Sequence, residues 1–384
     1  MKHEPLHAAL ALALLAAVAP ALADLSAVVV SEPTSRKDGL MVSRQGLEAG
    51  LAKASGRNVK VTLSEDLTDA MRATRSKGYD IFIAPAQVAA SALAHGYELV
   101  GATSAEEHYL LVGAGTRGSA AQLAGARIYL PQQDSIYTYL ARGMLTSAGL
   151  SFKDLAQVEY ARYPQAGLTA ISLRLADATV IRQADWDDWT KAHPGVAKVL
   201  ATSGGVPGGF SVVVNRELPA DLRARVAKWF HDSAGGVGMK PVALLPEATL
   251  YKRVAELGTF TPTSLPGAKV VGAEQVAKLI GEGAVVVDTR NEQEYKARHI
   301  PGALFVPYHE KSLKDVAYDA ALDDFSGLAR LDPKRPTVFH CNGAECWKSY
   351  KAARAALAKG FAQVYWFRGG MPEWLEARRQ VAQD

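Results

Sequence analysis

The chain has 384 residues, 48% hydrophobic and 21% charged, an ordinary globular composition that excludes a disordered or collagen-like protein and sets two or three domains as the expectation. Lys and Arg total 43 against 39 Asp and Glu, a net charge of +4 with no dense basic run, which argues against a nucleic-acid partner. Two cysteines exclude a disulfide framework but leave room for one bridge or one reactive thiol.

Residues 1–23 combine Lys2, an apolar run from Ala8 to Val18, Pro20 and the small-residue end Ala21-Leu22-Ala23. This is the pattern of a secretory leader cleaved before Asp24. The run is short for a span of about 20 residues, and charges break every later apolar stretch, so no stable membrane insertion is expected. The mature chain is expected to be exported, which in a Gram-negative cell means periplasmic. In an oxidising compartment, Cys341 and Cys346 as the only cysteines point to redox or sulfur chemistry.

Strands are expected at Ser26–Ser31, Val59–Leu63, Asp80–Ala84, Tyr109–Gly113, Arg127–Leu130 and Phe210–Asn215, with amphipathic stretches between them. The clearest helix is Ser135–Ala148, with Ile136, Tyr139, Leu140, Gly143, Met144 and Ser147 on one face. The alternation predicts an α/β architecture with mainly parallel sheets. A Thr-, Pro- and Gly-rich stretch at 258–267 reads as a linker between a body, 24–257, and a tail, 268–384. The tail repeats the alternation: helix Ala273–Ile280, strand Ala284–Asp288, strand Thr337–His340, helix Ser349–Lys359, strand Gln363–Phe367.

Five tail fragments occur in order: Asp288-Thr289-Arg290 after a strand, Glu294-Tyr295, His299–Ala303 (HIPGA), His340-Cys341 opening the loop Asn342–Lys348, and Gly369–Trp374 (GGMPEW). In this order they resemble the rhodanese domain of sulfurtransferases, over about 268–380. A cysteine at the C-terminal end of a parallel strand, before a helix N-terminus, sits among free N–H groups that stabilise a thiolate and hold an oxyanion. The resemblance implies that Cys341 takes a sulfane sulfur as a persulfide and passes it to a thiol or other acceptor. Asn342, Gly343, Ala344, Glu345, Trp347 and Ser349 would form the loop, with Lys348 and Arg290 as candidate catalytic cations. Asp288 and His299 would brace it. The loop reads as about two residues longer than the usual six and lacks a closing arginine. The length resembles the phosphatase and arsenate-reductase relatives, so an oxyanion reductase or phosphatase is a minor alternative. The Cys-x4-Cys-Trp pattern resembles a subset of exported rhodanese-like proteins. Cys346 would either resolve a persulfide or lock Cys341 in a disulfide that an exported thiol reductant opens.

In the body, Asp80–Ala86 (DIFIAPA), His108–Val112 (HYLLV), Leu123–Ile128 (LAGARI), Gln133–Tyr137 (QDSIY) and Ala176–Ala178 (ADA) are similar to periplasmic solute-binding proteins of the phosphonate and sulfonate type. The resemblance implies two α/β lobes about a cleft holding a small anion or organosulfur solute. Ser135, Tyr137 and Thr138, around a helix N-terminus, would hold an oxyanion. Ala86 and Tyr109 would line the cleft, and Asp177 would lie at its mouth. Ser31, Glu32 and Arg36 end the first strand and are placed to reach the cleft, and Arg182 and Trp186 are weaker candidates. The histidines are scattered, and neither a metal nor a cofactor is expected. The second functional reading is a solute-binding or sensing protein whose tail is a redox or docking module.

Overall fold

In a computed structural model, residues 24–33, 43–115 and 117–384 are described. The leader expected at 1–23 and the cleft candidate Arg36 lie outside them. No described helix is long and apolar enough to cross a membrane.

Three five-stranded sheets account for the architecture. The first runs, in spatial order, Val59–Ser64, Leu25–Val30, Ile81–Ala84, Ser211–Asn215, Tyr97–Ala102. The second runs Gln157–Tyr160, Arg127–Leu130, Ala178–Arg182, Tyr109–Ala114, Ala197–Thr202. Each carries one strand antiparallel to its neighbours, Ser211–Asn215 in the first and Tyr109–Ala114 in the second. Both follow the points where the chain passes from one sheet to the other, after Ala102 and after Thr202. Two lobes with paired crossovers are the result.

The third sheet, Ala268–Val270, Val364–Phe367, Thr337–His340, Val285–Asp288, Leu304–Phe305, is parallel throughout. Its central strands read VVVD and TVFH, apolar on both faces, because helices cover both sides. Helix Trp347–Ala358 packs on one face with Phe339 and Trp366. Val276, Met371 and Trp374 fill the other with Val338 and Phe367.

The predicted strands and helices are present with ends shifted by a residue or two. Strands Tyr97–Ala102, Gln157–Tyr160, Ala197–Thr202, Ala268–Val270 and Leu304–Phe305 were not expected. All five are sheet edges, several with exposed or half-exposed side chains, so their apolar signal is weak.

Candidate functional site

Strand Thr337–His340 delivers Cys341 to its C-terminal end, and helix Trp347–Ala358 begins six residues later. The loop is therefore 341–346. This corrects the expected extra length: Trp347 and Lys348 are already helical, with Cys346 at the N-cap. The loop turns at Gly343–Cys346, where Cys346 N–H donates to the Gly343 carbonyl at 3.0 Å. Among the described residues, nothing accepts from the N–H groups of Asn342, Gly343, Ala344 and Glu345. The helix N-terminus has no side-chain cap. The loop thus carries unpaired backbone donors, an arrangement that suits a thiolate or bound anion, while the Cys346 carbonyl stands 3.2 Å from the Cys341 sulfur.

Cys341 is 1% exposed and joined to Cys346 by a disulfide. Ser349 Oγ lies 3.1 Å from Cys341 Sγ and accepts from Trp366 Nε1 at 3.1 Å, which aims its proton at the sulfur. The Cys341 carbonyl accepts from Met371 N at 2.9 Å, fixing the strand-to-loop bend. Gly370 makes this approach: its φ is +56°, and a Cβ there would lie 2.0 Å from the Cys341 oxygen. Asn342 Nδ2 donates to Glu294 at 2.6 Å.

The expected supports divide. Arg290 donates from Nε and Nη2 to Asp288 at 2.6–3.0 Å and from Nη2 to the Arg298 carbonyl at 2.7 Å. It is 3% exposed, so its expected catalytic role is corrected to that of a brace. Burial raises the Asp288 carboxyl, but His340 and the Arg290 contacts outweigh it and hold it below the usual range. His340 is fully buried, and burial pushes it down to about 4, leaving it neutral. His299 stacks on Tyr295 and meets the Tyr295 carbonyl at 3.0 Å, the tether expected of it. Lys348 lies 6.0 Å from the centre of the Tyr308 ring and makes no hydrogen bond to the loop. Burial lowers it, against the charges of Glu310 and Glu294. Trp347 packs, its Nε1 donating to the Thr259 carbonyl at 3.1 Å.

The loop also rests on the body. Arg75, on helix Leu67–Ser76, pairs with Glu345 at 2.8 Å, and Arg72 pairs with Glu294 at 3.1 Å. Thr261 of the linker donates from N and Oγ1 to the Ala344 carbonyl at 2.8 and 2.7 Å. Lys314 meets Asp134 of the second lobe at 2.6 Å, and Thr68 of the first lobe donates to the same carboxylate at 2.8 Å. Arg142 donates to Thr259 Oγ1 at 2.8 Å and also to the Leu257 carbonyl. Sequence reasoning missed all of these contacts.

The cleft between the lobes is a cavity of about 570 Å³. Ala86, Tyr109 and Tyr137 line it, with Glu32, Glu107, Arg182, Asp185 and Phe210. Ser135 and Thr138 do not: both are buried, Ser135 capping Thr138 N and Thr138 bonding the Pro131 and Gln132 carbonyls. Asp177 is tied to Arg127 N and Nε, outside the cleft lining. Trp186 packs in the second lobe's core. The oxyanion seat is also corrected. Glu32 already occupies it, accepting from Ile136 N at 2.8 Å and Gln87 Nε2 at 2.7 Å. Its Oε2 is buried without a hydrogen-bond partner among the described residues. Burial pushes this carboxyl up to about 7, although the two N–H donors pull it down. Arg182, the cation among the described lining residues, is held by Asp185.

Two family models match. Residues 272–377 match the rhodanese-like domain, and residues 31–244 match the ABC transporter phosphonate periplasmic substrate-binding protein family. The tail is similar to the thiosulfate sulfurtransferase GlpE of Pseudomonas entomophila, 35% identical over 28% of this chain and 84% of the relative. It is also similar to the thiosulfate:glutathione sulfurtransferase of Saccharomyces cerevisiae, 23% identical over 27% of this chain and 74% of the relative. A solved structure, PhnD1 from Prochlorococcus marinus in complex with methylphosphonate, covers 61% of this chain and 97% of its own at 14% identity, with a TM-score of 0.48. The chain belongs to the ABC transporter phosphonate periplasmic substrate-binding protein family, and it carries a rhodanese-like domain behind that fold.

Proposed function

We propose that the chain is an exported sulfurtransferase whose tail, 268–384, moves sulfane sulfur through Cys341 while the body, 24–257, binds a small organic solute. The observation that carries this is the setting of Cys341, at a strand end, opening a loop with unpaired backbone N–H groups and against the Ser349 hydroxyl.

Turnover starts from reduction. A thiol reductant takes up the Cys341–Cys346 bond as its own disulfide and leaves two protein thiols. The Cys341 thiolate attacks the sulfane sulfur of a donor such as thiosulfate. A new S–S bond forms, the donor's S–S bond breaks, and sulfite leaves with the electron pair. An acceptor thiolate then takes the outer sulfur and releases the Cys341 thiolate. If Cys346 attacks the Cys341 sulfur first, hydrosulfide leaves and the disulfide returns.

An anionic end of the solute does not sit on the Ile136–Ser147 helix, since Glu32 holds that seat. The disulfide favours one second reading: a solute-binding protein whose tail is a redox module without turnover.

Mass spectrometry of the reduced mature chain carrying Cys346→Ser, so that a persulfide is not resolved, after incubation with thiosulfate decides between the two. Sulfur transfer predicts a gain of one sulfur atom on Cys341, absent in Cys341→Ser. A chain that only opens and closes its disulfide, loading no sulfur from thiosulfate or other sulfane donors, is the redox module.

A further inference from the structure

The Ala344–Glu345 peptide is the middle unit of the turn Gly343–Cys346. Its carbonyl is held from outside the loop by both donors of Thr261, at 2.8 and 2.7 Å. Thr261 is 2% exposed, and its own carbonyl accepts from Arg368 Nη2 at 2.8 Å, with Arg368 Nε on the Pro262 carbonyl at 2.9 Å. The anchor is thus itself anchored.

In a planar trans peptide, C=O and N–H point in opposite directions. A carbonyl drawn towards the linker sends the Glu345 N–H the other way, back across the loop. The two common β-turn forms differ by a flip of this middle peptide. The Cys346 carbonyl already stands 3.2 Å from the Cys341 sulfur. The flipped form would add a second carbonyl oxygen on the side where a donor now points, and an oxygen dipole beside a thiolate disfavours its charge. Beyond this peptide, Glu345 is fixed by Arg75 at 2.8 Å, the two side chains 18% and 6% exposed. The loop lacks a closing arginine of its own, and Arg75 of the body brings a guanidinium to it.

Building on the reading that Cys341 carries the sulfur, we propose that Thr261 is a positioning residue for the sulfur-transfer loop. It keeps the Ala344–Glu345 peptide turned with its N–H towards the Cys341 sulfur, and Arg75 locks the neighbouring side chain from the solute-binding body. The donor-lined loop is therefore complete only when the tail is docked on the linker and the first lobe.

The test is the pH dependence of Cys341 alkylation by iodoacetamide in the reduced full-length mature chain, with Cys346→Ser as parent so that one thiol reacts. The parent thiol is expected well below the ordinary value of about 8.5. Thr261→Val keeps the backbone N–H and the side-chain shape but removes the hydroxyl. It is expected to raise the thiol pKa by about half a unit to one unit and slow sulfur loading from thiosulfate about tenfold. Thr261→Ser restores both. Arg75→Gln, on a helix away from the tail's core, moves both in the same direction as Thr261→Val. A parent thiol titrating near 8.5 overturns the reading of Cys341 and this inference with it. A low parent pKa that Thr261→Val and Arg75→Gln leave in place overturns the inference alone.

Discussion

At the residue scale, two polar groups decide the chemistry of the two sites. Ser349 stands between Trp366 Nε1 and Cys341 Sγ, 3.1 Å from each. Ser349→Ala removes a donor from the thiolate and strands a buried indole N–H, a loss of about 1–3 kcal/mol. Sulfur loading of the reduced protein, followed by mass spectrometry, should slow about tenfold, and thermal unfolding should come earlier. Glu32 is the corresponding residue of the cleft. Its folded pKa of about 7 exceeds the usual 4.5, so the folded chain binds an extra proton between these values. The sign follows: this group's contribution is full below about 4.5 and lost as pH rises through about 7. Glu32→Gln should flatten that part of the stability profile, raising the melting temperature relative to wild type most at pH 8 and least at pH 4.5. A difference independent of pH would show that the carboxyl is not held protonated. Sequence pattern alone reached Cys341, because five fragments in order give its position. It brought Glu32 to the cleft but not onto the helix N-terminus, since nothing in the string shows that its N–H partner lies 104 positions away.

At the element scale, the strand-to-loop junction carries the strictest geometry. Val285–Asp288 and Thr337–His340 were legible because both faces are apolar, and their pairing aligns Asp288 with His340. The start of the following helix was misjudged by two residues. Cys346 makes no side-chain cap, so the usual Ser, Thr, Asp or Asn signal is missing. Gly370→Ala tests the junction directly. Its φ and the 2.0 Å approach to the Cys341 oxygen allow no side chain, and a loss of about 2 kcal/mol or more is expected with displacement of the loop. His340 adds a pH-dependent element. Buried and neutral with a pKa of about 4 against 6.5, it takes up a proton in the unfolded chain first. The stability it contributes is present above pH 6.5 and is lost as pH falls towards 4. Thermal unfolding of His340→Phe should show a shallower acid limb than wild type over that window, and equal slopes would remove His340 as its source.

At the scale of the whole molecule, the linker is the least legible segment and the most informative. Its Thr, Pro and Gly content reads as a spacer, yet Thr259 and Thr261 bond the second lobe and the Cys341 loop. No local pattern encodes this, because Arg75 and Glu345 are 270 positions apart and each reads as an ordinary surface charge. Asp134 joins the three bodies: Thr68 from the first lobe and Lys314 from the tail bond one carboxylate of the second. Burial raises that carboxyl, and Lys314, Thr68 and Arg75 together bring it below the usual range. A tail fixed to both lobes keeps all these contacts in only one lobe arrangement. Lys314→Met removes the paired cation and leaves the buried carboxylate with the Thr68 hydrogen bond and the more distant charge of Arg75, a cost of about 3 kcal/mol. Calorimetry is expected to show one transition for wild type and separate transitions for body and tail in the variant. A single transition at an unchanged temperature would mean that Asp134 does not couple the domains, leaving the Thr261 and Arg75 contacts to hold the tail.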